Sequence, residues 1–402
     1  MARLQGPHCA GNRGCDAMNT PRRIKKVLEA LFLAGFFLVL LLIGAELASR
    51  YILGEYESEF EEVYQVDRTR TPQPYTMFGA KPSASVSTND SPLIEHYNRL
   101  GYRGPAPTPV KPSGEYRIFI LGGSTVFMGS RKWEKGPSIV ELLKDIFASH
   151  GLSQVKVFNF GVVSAVSGQE LARIVYQISD FEPDLVIMYN GGNDILVPIS
   201  YDPRPGYPFN FMAYEANPLM QRDLKDYPFM AMALLGTNLG RHFLRWYLVG
   251  QILDVPRLRR ESGFRTFQWE WEIAKSYVVN LIRGNKISQV FGAEFVAYFQ
   301  PMPHFKEPII GFLEAHHDRG MSKTVIRFRE NVRSLAGEAM ASKDLNFTDL
   351  SDLFDGIEED VFVDEIHPKH KNMPMIADAI FSDLEDRGIV ATIEAQANKN
   401  PK

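Results

Sequence analysis

The longest stretch of uncharged, apolar positions lies at residues 30–45. Extended back to Val27, with Glu29 as the one charge there, it approaches the ~20 residues a helix needs to cross a hydrocarbon core. It is apolar on every face, unlike a surface helix of a globular body. Arg22, Arg23, Lys25 and Lys26 precede it. Positive charge before an apolar span predicts a cytoplasmic N-terminus and places everything after Arg50 outside. The exit, Ala45-Glu46-Leu47-Ala48-Ser49, has no clear small-x-small cleavage pattern. The expectation is an uncleaved, single-pass anchor in the inner (cytoplasmic) membrane, with the bulk of the chain periplasmic or extracellular. Met18, just before the basic cluster, is a second candidate start.

Past this span the pattern alternates between two periods. Continuous apolar runs at 117–121, 155–160, 185–189 and 294–299 read as buried strands. Between and after them, apolar residues recur at helical spacing. Ile139, Leu142, Leu143, Ile146 and Phe147 follow the start signal Pro137-Ser138. Leu171, Ile174, Val175 and Ile178 mark a second helix. Trp271, Tyr277, Val278, Leu281 and Ile282 mark a third as the inward side of a crossover. Further helices are expected at about 321–341 and around Ile376, Ala377, Ile380 and Leu384. Strands alternating with helices imply an α/β fold with a parallel sheet and right-handed crossovers.

The expected organisation is a cytoplasmic tail (1–26), a transmembrane anchor (27–48), a stalk and leader (49–96), a catalytic body (97–390) and a polar tail (391–402). Glu55, Glu57, Glu59, Glu61 and Glu62 make the stalk acidic, and Pro72, Pro74 and Pro82 punctuate the leader. The body carries an insertion at 195–265, too long for a single crossover and rich in aromatics. Two readings of it stand: a helical decoration with its own small core, or a wall of the active-site cleft that begins beside Asn193.

Composition removes several functions. A net charge of −4 over 402 residues gives no basic field for nucleic acid. The two cysteines, Cys9 and Cys15, are too few for a structural zinc site even with His8 nearby, and read as incidental thiols. Neither a metalloprotease helix, a phosphate loop nor a dinucleotide glycine fingerprint is present, so no cofactor is expected.

The chemistry lies in four short blocks in chain order: Gly122-Gly123-Ser124-Thr125, Gly161, Gly191-Gly192-Asn193-Asp194, and Asp364-Glu365-Ile366-His367. The first three follow predicted strands, where ligands bind in open α/β sheets. Ser124 is a weak nucleophile that needs a base. His367 is the candidate base, and Asp364 the group that orients its ring. The backbone N–H groups of Ser124 and Gly161 and the side-chain amide of Asn193 are candidate donors to an oxyanion.

These blocks resemble the SGNH (GDSL-type) hydrolase family, over about residues 98–388. The resemblance implies a flavodoxin-like three-layer α/β/α fold, with Ser124 as nucleophile, Gly161 and Asn193 in the oxyanion hole, and Asp364 and His367 as the acid–base pair. It also implies an ester substrate, often an acyl group on a carbohydrate or lipid. Tyr97-Asn98-Arg99-Leu100-Gly101-Tyr102-Arg103-Gly104 is similar to a lead-in of membrane-anchored bacterial members. Gly123 stands where the family usually has aspartate. The Gly-Gly-Ser-Thr form resembles a branch found beside surface-polysaccharide genes.

Three functions follow as expectations. The first is a membrane-anchored serine esterase that removes O-acyl groups from a surface carbohydrate. The second is an O-acetyltransferase using the same serine. The third, from another class, is a non-catalytic glycan-binding or assembly protein that keeps the fold.

Overall fold

A computed structural model describes residues 20–54, 70–83, 85–87, 94–127, 130–131, 134–209, 211, 236–247, 255–315 and 319–399. The two cysteines, both candidate starts, the acidic run at 55–62 and the insertion aromatics Tyr214, Tyr227 and Phe229 lie outside these. The elements that bear on function, in chain order, begin with α1 (Thr20–Leu53), β1 (Arg70–Gln73), β2 (Met77–Ala80), β3 (Tyr116–Gly122), α2 (Ile139–Ser149) and β4 (Val155–Gly161). There follow α3 (Ser167–Arg173), β5 (Leu185–Asn190), α4 (Gly192–Ser200), α5 (Asn238–Tyr247) and α6 (Phe267–Val290). The last are β6 (Glu294–Phe299), α7 (Arg319–Ala341), β7 (Phe347–Asp349), α8 (Met373–Asp386) and α9 (Ile389–Lys399).

The chain divides into two compact units. One is Met1–Ser58 with Pro218–Ile252; the other is Glu59–Asn217 with Leu253–Lys402. The middle of the insertion therefore belongs with the N-terminal helix. The two ends of the insertion stay with the larger unit, where Ile195, Val197, Ile199 and Phe209 enter the core.

In the larger unit five strands form one parallel sheet in the order β7-β6-β5-β3-β4. Numbered along the chain this is 2-1-3-4-5, the flavodoxin-like doubly wound order. The order reverses between β3 and β5, and such a switch point opens a crevice at the carboxyl ends of the strands. Alternate side chains leave the sheet on opposite faces. Phe119, Leu121, Val186, Met188, Phe295 and Ala297 pack in a core with Tyr277, Val278 and Leu281 of α6 and Val325, Phe328 and Val332 of α7. Ile118, Ile120, Ile187, Tyr189, Val296 and Tyr298 face a second core with Leu143 and Phe147 of α2 and Ile376, Ile380 and Leu384 of α8. Helices on both faces of a parallel sheet give the expected three-layer α/β/α fold.

Local signals set the helix starts. Ser138 caps α2 through a reciprocal box with Glu141, and the Thr266 hydroxyl accepts the Trp269 N–H at the start of α6. The inward face of α6 keeps Tyr277, Val278 and Leu281 of the expected set and replaces Trp271 and Ile282 with Trp269 and Ile273. Trp269, Ile273, Tyr277, Val278 and Leu281 are buried, while Trp271 and Ile282 are half-buried.

Three elements differ from the pattern reading. The strand β7 has only three residues, too few for an apolar run to signal. The 70–80 segment, read as leader, is a hairpin of β1 and β2 packed on the body. Gln169 Nε2 donates to Thr76 O at 2.6 Å, and the Tyr75 ring stacks on Tyr176 at 4.1 Å. The expected polar tail at 391–402 is helical to Lys399, and Ile389, Val390 and Ile393 enter the second core.

If α9 is structural, Ile393→Ala is expected to destabilise the folded chain by about 2–5 kcal/mol, whereas Glu394→Ala, one exposed position on, changes stability little. Thermal midpoints of the detergent-solubilised variants test this. Equal midpoints would return the segment to the status of a tail.

Candidate active site

The loop after β3 carries Ser124 at the start of a single helical turn, Ser124–Phe127. The first N–H groups of such a turn lack intrahelical partners, so the Ser124 N–H is available to a ligand. Its side chain is recessed at 6% exposure. The hydroxyl Oγ lies 2.7 Å from Nε2 of His367. The other ring nitrogen of His367, Nδ1, lies 2.7 and 2.8 Å from the two carboxylate oxygens of Asp364. Residues separated by 243 positions thus form one continuous line, carboxylate to imidazole to hydroxyl.

The 362–368 loop holds that geometry by itself. An isolated bridge pairs Phe362 with Pro368, and the Val363 N–H donates to His367 O at 2.8 Å. Inside it, Asp364 Oδ1 accepts the backbone N–H of Ile366 at 3.1 Å and of His367 at 2.9 Å. Aspartate favours such turns because its side chain bonds to backbone two or three residues on. The same carboxylate therefore shapes the loop and orients the ring. Gln300, at the end of β6, spans from this loop to the serine block. Its Nε2 lies 3.5 Å from Ile366 O, and its Oε1 3.4 Å from the Thr125 hydroxyl. The pattern reading saw Gln300 only as a strand end.

Asn193 starts α4 and donates through Nδ2 to Ala165 O at 2.8 Å. A Cβ on Gly123 would sit 2.3 Å from that same Nδ2. This gives a physical reason for Gly123 where the resemblance led one to expect aspartate: the Asn193 amide occupies the space. Asp194, the last residue of the third block, is the deeper anchor. Its carboxylate accepts the Ser167 N–H at 3.1 and 3.2 Å and the Ser167 hydroxyl at 2.6 Å.

Gly161 requires a revision. Its N–H donates to Asn159 Oδ1 at 2.9 Å, so it is not turned toward Ser124. What Gly161 supplies is room, since a Cβ there would meet the Phe127 backbone nitrogen at 2.4 Å. Asn159 completes the clamp by donating Nδ2 to Val126 O at 2.8 Å. A few residues on, Ala165 N bonds Val162 O, closing a turn with Ser164 at φ 61°. That third position is where a type II turn calls for glycine. Among the described residues the Ser164 N–H has no hydrogen-bond partner. It neighbours Ala165, whose carbonyl holds the Asn193 amide.

Behind these loops lies a buried polar layer. Asn190 Nδ2 donates to Glu170 Oε2 at 2.5 Å, and the Tyr277 hydroxyl donates to Asn190 Oδ1 at 2.8 Å. Burial pushes the Glu170 carboxyl up to about 8, against an opposing pull from Arg173. Burial also pushes Asp194 up to about 7, with its bonds to Ser167 acting in the other direction. Among the described residues no group of three or more His, Cys, Asp or Glu is placed to hold a metal ion.

No family model and no curated protein matches the chain. Solved structures similar to it include a catalytic mutant of an acetylxylan esterase from Geobacillus stearothermophilus, with 13% identity, 68% of this chain and 96% of that chain covered, and a TM-score of 0.39. A lipase/acylhydrolase from Enterococcus faecalis gives 17% identity, 68% and 96% coverage and a TM-score of 0.37. An acetyl xylan esterase gives 12%, 67% and 99%, and 0.37. Overlaps this loose carry no weight for function, and the fold stands on its strand order.

Two expectations follow from this geometry. Gly123→Ala is expected to fold while displacing the Asn193 amide, and to lower ester turnover about 100- to 1,000-fold if that amide is an oxyanion donor. Parent-level turnover in a folded variant would remove Asn193 from the hole. The second concerns pH. Glu170 binds its proton more tightly folded than unfolded, so its contribution to stability is complete below pH 4.5 and declines as pH rises toward about 8. Glu170→Gln is expected to flatten the fall of thermal midpoint over that window, leaving the smaller slope from Asp194. Parallel curves for parent and variant would place the Glu170 proton elsewhere.

Proposed function

We propose that this chain is a membrane-anchored, extracytoplasmic serine ester hydrolase of the SGNH type that removes O-acyl groups, acetyl above all, from a surface carbohydrate. The observation that carries the reading is the unbroken Ser124–His367–Asp364 line, at the carboxyl end of a parallel sheet and beside the Asn193 amide.

In the first half-reaction Ser124 Oγ attacks the ester carbonyl carbon, and its proton passes to Nε2 of His367. Asp364 holds the Nδ1–H and stabilises the imidazolium. The carbonyl oxygen becomes an oxyanion facing the Ser124 N–H and the Asn193 amide. In place of Gly161 we assign the Ser164 N–H as the third donor, because the Gly161 N–H is committed to Asn159. The tetrahedral species collapses by breaking the bond to the alcohol oxygen, which takes the proton from His367. Water then attacks the acyl-serine with His367 again as base, and the acid and the free serine are released.

Nothing in this route calls for a cofactor. The apolar α1 and the basic residues before it support the anchor and its orientation. The carbohydrate rests on the family resemblance of the Gly-Gly-Ser-Thr block.

The test is a phosphonate probe and an acetate ester. The probe is expected to label Ser124 in the parent and nothing in Ser124→Ala. Turnover is expected to vanish in Ser124→Ala and nearly so in His367→Ala, while Asp364→Ala retains more, because it acts through the ring. Full turnover in Ser124→Ala rejects the mechanism. Acetate release only when a sugar acceptor is present moves the function to acyl transfer.

A further inference from the structure

The smaller unit holds a feature that the ester chemistry does not use. Glu46 is a carboxylate near the end of an otherwise apolar helix, and a charge there is costly if the helix lies in lipid. In the structure it pairs with Arg50 one turn on, at 3.1 Å, and also meets a segment distant in sequence. It accepts the backbone N–H of Asn238 at 2.9 Å on one oxygen and that of Leu239 at 3.0 Å on the other. It thus satisfies the orphan donors at the start of α5 and places negative charge at the positive end of that helix. Asn238 returns the contact, donating Nδ2 to Ser49 Oγ at 3.1 Å and to Gly54 O at 3.0 Å. Ser49 is buried on a helix whose other side chains are mostly exposed.

The depth of this joint follows from helix geometry. Lys26 is the last charge of the basic cluster, and Glu46 is 46 − 26 = 20 residues further on. At 1.5 Å per residue the separation is about 30 Å, the thickness of the hydrocarbon core. With Lys26 at one boundary, Glu46 and the start of α5 stand at the other.

The ten residues of α5, Asn-Leu-Gly-Arg-His-Phe-Leu-Arg-Trp-Tyr, carry two arginines and no acidic residue. Leu239 and Phe243, four positions apart on one face, are 41% and 49% exposed. Large exposed apolar side chains, a basic sequence and a start at the hydrocarbon boundary together describe a helix of the membrane interface.

We infer that α5 is a second membrane contact, an interfacial helix seated in the outer headgroup layer beside the exit of α1 and fixed there by the Glu46 carboxylate. Its partner is the lipid surface itself, and the basic, acid-free sequence of the helix suits an anionic headgroup layer. The inference rests on the reading that α1 spans the bilayer. It means that the N-terminal unit holds the membrane at two points, so that the insertion serves attachment as well as length.

The experiment uses the full chain with Cys9→Ser and Cys15→Ser, reconstituted into vesicles of phosphatidylcholine and phosphatidylglycerol. An environment-sensitive fluorophore is placed through Phe243→Cys or, separately, through Leu40→Cys. Folding is checked by a parent-like thermal midpoint. The Phe243 probe is expected to be quenched several-fold more by nitroxide on the upper acyl chain than by aqueous iodide. The Leu40 probe is expected to respond to nitroxide deep in the chain. A deep Leu40 probe with an iodide-accessible Phe243 probe overturns the inference alone. Both probes open to iodide overturn the spanning reading of α1, and the inference with it. Glu46→Ala is expected to make the Phe243 probe more accessible to iodide, and an unchanged quenching pattern would reject Glu46 as the fixing group.

Discussion

The candidate site depends on the carboxylate of Asp194. It accepts the N–H and the hydroxyl of Ser167, which tie the start of α4 to the start of α3 across 27 residues. That tie brings the Ala165 carbonyl within 2.8 Å of the Asn193 amide. It thereby fixes the turn that carries Ser164. Asn280, from α6, donates to the Ser167 hydroxyl at 3.1 Å and locks the junction from behind. Asp194 has 5% of its surface exposed. In such a place an unmade hydrogen bond costs about 1–3 kcal/mol, more for a charged group. The network is therefore strongly specified, and the loops it joins have few alternatives.

Close approach is the companion constraint. The strand ends at the switch point converge so tightly that side chains must be missing. A Cβ on Gly122 would lie 2.4 Å from Tyr189 O, and one on Gly161 would strike the Phe127 backbone. The helical turn that begins at Ser124 fits only because these positions are bare. The recession of the nucleophile and that of its neighbour Thr125 are two results of the same packing. The Asp364 loop adds little to this crowding, since it is shaped by bonds within itself and meets the rest through His367 and Gln300.

In the smaller unit a similar economy of polar groups appears on an apolar helix. The apolar surface of α1 suits lipid, and Glu46, Ser49 and Arg50 are polar exceptions near its far end. Glu46 and Ser49 are used to hold α5, and the Glu46 carboxylate is shared between Arg50 on its own helix and the N–H groups of Asn238 and Leu239.

Much of this protein is determined by local sequence. The strands before Ser124, Gly161 and Asn193 are apolar runs bounded by turns. The starts of α2 and α6 carry their own caps, and Asp364 and His367 meet because only two residues separate them and the Asp364 carboxylate binds the backbone N–H groups of Ile366 and His367. The apolar run of α1 is legible for the same reason, since length and hydropathy are properties of the segment alone. What the tertiary structure decided concerns partners distant in the chain. Asn159, whose Oδ1 takes the nearby Gly161 N–H, finds its other partner in Val126 O, 33 positions away. The aspartate expected at 123 is displaced by an amide from residue 193. The short β7 exists only because β6 offers an edge, and α9 is buried only because the second core has room for Ile393. The start of α5 meets α1 through a bond from Asn238 to Glu46, 192 positions away. A hydrogen-bond donor is a local fact of sequence; which acceptor it finds is fixed only when the chain has closed around it.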